Sequence, residues 1–167
     1  MLLSADQIRQ RVADMAGDIS RDHPAGVHLV AVLNGAFVFL ADLVRQIDAP
    51  VSLDFVRFSS YAEGLVSSGD VQLLKDLDGE VSGRDIVIVE DIVDSGLTLA
   101  ALQHLLSRRE PRTLRTACLL NKPTRRQVDV PIDYCGFPIE DLFVVGYGLD
   151  FDERYRNLPY IGVLETD

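Results

Sequence analysis

Apolar positions along this 167-residue chain recur with two periods, and the switches between them divide it into strands and helices. Ile8, Val12, Met15 and Ile19 fall at helical spacing behind Ser4 and Gln7, which have the form of a capping box. A first helix over 5–21 is predicted, closed by Pro24 and Gly26. Residues 27–33 read as a short apolar strand whose one polar interruption, His28, is expected to pack or lie at an edge rather than bind a ligand. Asn34, Gly35 and Ala36 form a turn, and helical spacing returns over 37–46. Alternation over 51–58 predicts another strand, followed over 59–69 by a polar, glycine- and serine-rich loop and over 71–74 by a segment that pairs back as a β-ribbon.

Four consecutive aliphatics, Ile86 to Val89, predict a strand buried on both faces, since an exposed face would show polar alternation. It ends in acid at Glu90, Asp91 and Asp94, then passes through Ser95, Gly96 and Thr98 into an amphipathic helix over 100–106 that Pro111 closes. A buried strand over 113–121 follows, then the basic cluster Lys122 to Arg126, of which Arg125 and Arg126 are expected to be surface residues. Short strands are predicted over 134–136, 142–147 and 159–163. Repeated strand, turn and helix define an α/β fold of one domain spanning 1–167, with a central, mostly parallel sheet flanked by helices.

In such a sheet ligands sit beyond the carboxyl ends of the strands, where a helix N-terminus offers free N–H groups to an anion. Ser95, Gly96 and Thr98 suit a phosphate: two hydroxyl donors and a glycine that lets the backbone approach. The preceding carboxylates would repel a bare phosphate. They suit a ligand that also carries hydroxyls or arrives with a divalent cation, and a ribose 5-phosphate has both ends.

Composition narrows the partners. Sixteen basic against 26 acidic residues give a net charge of −10, which opposes binding along a nucleic-acid backbone. No apolar run approaches the roughly 20 residues that span a bilayer, and the N-terminus lacks the pattern of a secretory signal, so no membrane partner and a cytoplasmic location are expected. Cys118 and Cys135 lie in apolar, strand-like surroundings without metal spacing and are expected to be buried free thiols.

The stretch Val89, Glu90, Asp91, Ile92, Val93, Asp94, Ser95, Gly96 and Thr98 resembles the phosphoribosyl pyrophosphate signature of type I phosphoribosyltransferases, and the rest of the chain resembles their hypoxanthine-guanine branch. The resemblance implies transfer of a 5-phosphoribosyl group to a 6-oxopurine, a small hood built from N- and C-terminal segments (the C-terminal part about 137–167), and a β-ribbon lid over about 59–83. It implies that Glu90 and Asp91 receive the ribose hydroxyls, that Asp94, Ser95, Gly96, Leu97 and Thr98 hold the 5-phosphate, and that Asp94 is the general base. Leu33, Asn34, Gly35, Ser60, Tyr61 and Arg156 are assigned to pyrophosphate. Lys122, Phe143, Val144 and Asp150 are assigned to the purine, and Glu90, Asp91 and Asp150 to Mg²⁺. Asn34 departs from the pattern, because relatives commonly carry lysine or arginine there. A homodimer or homotetramer is implied. The competing readings are a non-catalytic sensor of phosphoribosyl pyrophosphate, a transferase preferring xanthine, and a phospho-accepting receiver, which lacks here the acidic pair such domains carry near the first strand.

Overall fold

The computed structural model describes residues 1–59 and 71–165. Ser60, Tyr61 and the rest of the 60–70 stretch of the expected lid lie outside the described residues. Helix α1 (Ala5–Asp22) begins with the capping box: the Gln7 amide donates to Ser4 Oγ at 3.2 Å and the Ser4 amide to Gln7 Oε1 at 2.8 Å. Strand β1 (Val27–Leu33), helix α2 (Phe37–Val44), strand β2 (Val51–Phe58) and the short β3 (Leu73–Lys75) follow. Then come β4 (Asp85–Val93), α3 (Leu97–Ser107), β5 (Thr113–Asn121) and β6 (Tyr134–Pro138), and finally β7 (Val144–Val145) and β8 (Gly162–Val163).

Six strands form one sheet in the order β3-β2-β1-β4-β5-β6, parallel except for β3, which pairs antiparallel with β2. Successive strand residues point to opposite faces, and the core divides accordingly. Leu29, Ala31, Val87 and Val89 pack beneath α1 and α2, whereas Val30, Val32, Ile86 and Ile88 pack against Leu99, Leu102 and Leu106 of α3. Strand order reverses between β1 and β4, the place where open α/β sheets accept ligands. β7 and β8 form a separate antiparallel pair, extended by the N-terminal segment, where Leu3 bridges Ile161. The expected hood thus joins both ends of the described chain.

Several boundaries differ from the sequence reading. β4 does not stop at the acids; it continues to Val93 because Glu90, Ile92 and Val93 stay in register with Cys118, Leu120 and Asn121 of β5. α3 starts at Leu97, three residues before the apolar spacing becomes visible, and the Ala100 amide donates to Gly96 O at 2.8 Å. Of the strand predicted over 142–147 only Val144 and Val145 remain, since Gly146 and Tyr147 both take positive φ and turn the chain. α2 ends at Val44 rather than at residue 46.

His28 is buried, and its Nδ1 lies 2.8 Å from Ser52 Oγ. Cys118 is buried and Cys135 half-buried; they face each other in register across β5 and β6, and both are free thiols. Among the described residues no helix is long and apolar enough to cross a membrane.

Asp54 ties the connection between β3 and β4 to the sheet. It is buried in β2, where Oδ2 accepts from the Asp78 and Gly79 amides at 2.9 Å each. Burial opposes its charge, yet the surrounding amides and Lys75 hold its carboxyl below the usual range. Asp54→Ala leaves those amides without their acceptor and is expected to destabilise the fold by about 1 to 3 kcal/mol in urea unfolding.

Candidate active site

The site is built where β1 and β4 end side by side. After β1 the chain passes through a cis Leu33–Asn34 peptide into Gly35, and the Phe37 amide closes the turn on Asn34 O at 3.2 Å. Gly35 is required by contact: a Cβ there would lie 1.7 Å from Asp91 Oδ2. Gly148, at a φ of +98°, presses on the same loop, and a Cβ on it would lie 2.3 Å from Gly35 O. The end of β4, the turn after β1 and the hood therefore interlock through two residues that lack side chains.

Beneath the hood lies a cavity of about 440 Å³ lined by Leu33, Asn34, Gly35, Arg57, Asp91, Asp150 and Arg156 among others. Arg156 is engaged there, pairing with Asp150 Oδ1 at 2.9 Å and donating to Gly148 O at 2.7 Å. Burial is the main cause that pushes the Asp91 carboxyl up, to about 6, with the Asp150 charge adding and the Ile92 amide and Arg156 opposing. Glu90, one residue earlier, is raised by burial and then by the Asp91 charge.

Consecutive strand residues face opposite sides, so Glu90 lines a second, smaller cavity of about 110 Å³ with Asp94, Ser95, Gly96 and Thr98. The three acids expected to share a cation are thus divided, Asp91 and Asp150 in one cavity and Glu90 in the next. Among the described residues no three acid, histidine or cysteine side chains form a ligand cluster. The small cavity gathers the residues that the resemblance assigns to the 5-phosphate. Gly96 takes the left-handed conformation at the N-cap of α3, and the Leu97 amide lies 3.3 Å from Ser95 Oγ.

Lys122 is buried at the end of β5, and its ammonium stands 3.9 Å from Asp94 Oδ2 and 3.6 Å from Asp141 Oδ1. Arg125 closes a ring of four charges, reaching Asp94 at 3.1 Å and Asp141 at 3.5 Å. The expectation that Arg125 and Arg126 are surface residues holds for Arg125 and is corrected for Arg126. Arg125 is exposed but paired, and Arg126 is half-buried, donating to Asp94 O at 2.9 Å and to Asn121 Oδ1. A 3-10 turn at Pro123–Arg125 brings the chain back so that the Gln127 amide reaches Ser95 O at 2.9 Å. No periodicity announces these contacts.

Asp141 precedes by two residues Phe143, an aromatic ring left 48% exposed and held edge-on by Phe151 at a centroid distance of 5.5 Å. Val144 is buried in β7, paired with Val163. Arg57 is a lining residue that sequence reasoning missed. Its only signal is its place at the carboxyl end of β2, opposite Leu33 in register.

Residues 1–152 match the family model of the phosphoribosyl transferase domain. The chain is 51% identical over 172 residues to the hypoxanthine-guanine phosphoribosyltransferase of Mycobacterium avium, an alignment covering 99% of this chain and 85% of that protein. It is 45% identical over 165 residues to the hypoxanthine phosphoribosyltransferase of Salmonella typhimurium, covering 97% and 93%. A crystal structure of a hypoxanthine-guanine phosphoribosyltransferase from Bacillus anthracis superposes with a TM-score of 0.93 at 44% identity, covering 99% of this chain and 96% of that one. The chain belongs to the phosphoribosyltransferase family.

The raised Asp91 carboxyl has a measurable consequence. A folded-state value above the unfolded one means that the folded chain binds the proton more tightly, so this group's contribution falls as pH climbs from about 4 to about 6 and is level above that. Asp91→Asn is expected to remove that dependence and to stabilise the ligand-free fold above pH 6 by about 1 to 2 kcal/mol, the partial exposure of the residue being discounted. Denaturant unfolding of both proteins at pH 4.5 and 7.5 measures the difference.

Proposed function

We propose that this chain transfers the 5-phosphoribosyl group from phosphoribosyl pyrophosphate to a 6-oxopurine, hypoxanthine or guanine, releasing pyrophosphate. What supports the reading is that one end of the sheet carries a small cavity lined by Ser95, Gly96 and Thr98, a larger one with paired acids and an arginine, and a Lys122–Asp94 pair, with Asp141 beside Lys122 and two residues before an exposed aromatic ring. The names of the relatives favour the same substrates.

Displacing pyrophosphate from the anomeric carbon by a purine nitrogen passes through a cation-like sugar. Ser95, Gly96, Leu97 and Thr98 hold the 5-phosphate on the α3 N-terminus. Glu90 and Asp91 accept the ribose hydroxyls and favour positive charge on the ring. Leu33, Asn34, Gly35 and Arg156 receive the leaving pyrophosphate, with Ser60 and Tyr61 assigned to it by resemblance. Lys122 donates to the purine O6 while Asp94 takes the proton at N7, a donor and an acceptor matched to the edge of a 6-oxopurine and mismatched to adenine, whose amino group a lysine ammonium cannot accept from. Phe143 stacks on the base, and the backbone at Val144 and Asp150 meets its far edge.

Asp91 and Asp150 fit a divalent cation: two carboxylates line one cavity, and burial and mutual repulsion raise Asp91, a cost that a bound cation offsets. We assign them to Mg²⁺, with Glu90 on the sugar side. When bound, Mg²⁺ neutralises charge on the departing pyrophosphate. A homodimer or homotetramer in the cytoplasm completes the proposal.

The decisive assay mixes the protein with phosphoribosyl pyrophosphate, Mg²⁺ and each of hypoxanthine, guanine, xanthine and adenine, and measures pyrophosphate. Release with the first two and none with adenine is expected; no release with any base would reject the reading. Asp94→Asn is expected to lower kcat by about 10²-fold or more while KM for phosphoribosyl pyrophosphate stays within a few-fold. Phe143→Ala is expected to raise KM for the base by about tenfold, as loss of base stacking requires.

A further inference from the structure

The large cavity faces a ligand of high negative charge with two carboxylates already in its wall, Asp91 and Asp150, and with a neutral side chain, Asn34, on the loop that rims it. Of its two arginines, Arg156 is already committed to Asp150 and to the Gly148 carbonyl. Arg57 is not: among the described residues it forms no ion pair. We propose that Arg57 supplies the cation for the pyrophosphate end of phosphoribosyl pyrophosphate, taking over electrostatically for the uncharged Asn34. This deepens the function proposed above and rests on it.

Sheet register carries the assignment. Val89, Ala31 and Phe55 are neighbours on β4, β1 and β2 and pack on the hood side of the sheet. Two residues further along each strand, on that same face, come Asp91, Leu33 and Arg57. Arg57 therefore ends the row that begins with Asp91, with the Asn34 and Gly35 turn between them. Leu33 and Arg57 are direct register partners, which sets Arg57's strand position against the loop that lines the cavity. The side chain is exposed and sits at a strand end, so its charge can turn into the cavity without leaving a buried partner unsatisfied. A guanidinium suits the role because its planar fork binds two phosphate oxygens at once and keeps its charge at any working pH.

A cation at position 34 and one at position 57 would then serve one ligand group, which makes the proposal testable by exchange. Arg57→Gln is expected to raise KM for phosphoribosyl pyrophosphate and the inhibition constant of Mg²⁺-pyrophosphate by about tenfold, the worth of one charge-assisted contact. KM for hypoxanthine stays within twofold and the melting temperature is unchanged. Asn34→Lys in the Arg57→Gln background restores most of both constants, whereas Asn34→Lys alone improves them less. Constants for Arg57→Gln within twofold of wild type, or a defect that Asn34→Lys leaves in place, would overturn the assignment while wild-type transfer left the function itself standing. A wild-type protein that releases no pyrophosphate with any 6-oxopurine would remove that function, and the assignment with it. Titration of Mg²⁺-pyrophosphate by calorimetry, without any base present, gives the same comparison independent of turnover.

Discussion

The structure depends on the close approach of Asp91 to the backbone of Gly35. Two parallel strands that end together leave a crevice only if the loop from one does not fill it, and here that loop is pressed flat against a carboxylate because Gly35 has nothing to put in the way. Gly148 repeats the arrangement from above. The arrangement carries a cost at Asp91, an acid raised by burial, whereas Gly148 takes its positive φ without strain. It persists because the two hydrophobic layers of the sheet fix the strand ends that carry it. Stability made in the core is spent at the rim, where charge must be held ready for a ligand.

A second organising device is the ring of Asp94, Lys122, Arg125 and Asp141. A buried ammonium is tolerable only with counter-charge nearby. Lys122 has two carboxylates, both standing a little beyond hydrogen-bond reach. Its charge is balanced while its protons stay available for an acceptor on a ligand. The ring also joins three separate segments, the ends of β4 and β5 and the start of the hood, so the chemistry of one edge and the position of the aromatic ring on Phe143 are set together.

Where the sequence was legible, the reason is local. Strands 27–33, 51–58 and 113–121 are read to the residue because unbroken or alternating apolar patterns fit a sheet and little else, and α1 because its cap is written in Ser4 and Gln7. The acids of β4 misled, since charge usually ends a strand; a ladder to β5 that the one-dimensional pattern does not contain carries the strand through them. The site residues inside the signature were legible because they are consecutive. Arg57, Arg126 and Asp141 were not, because each owes its place to register or to a turn that reverses the chain elsewhere.

The bridge between Leu3 and Ile161 joins residues near opposite ends of the sequence, with both the Leu2 and Leu3 amides on Ile161 O and the Ile161 amide on Leu3 O. Such a pairing must wait until residue 161 has been made, whereas β1, β4 and the start of α3 are made well before. The strand ends that carry the proposed site are therefore in place before the segment that roofs them. Until Ile161 pairs with Leu3, the β1 and β4 ends stand open to water.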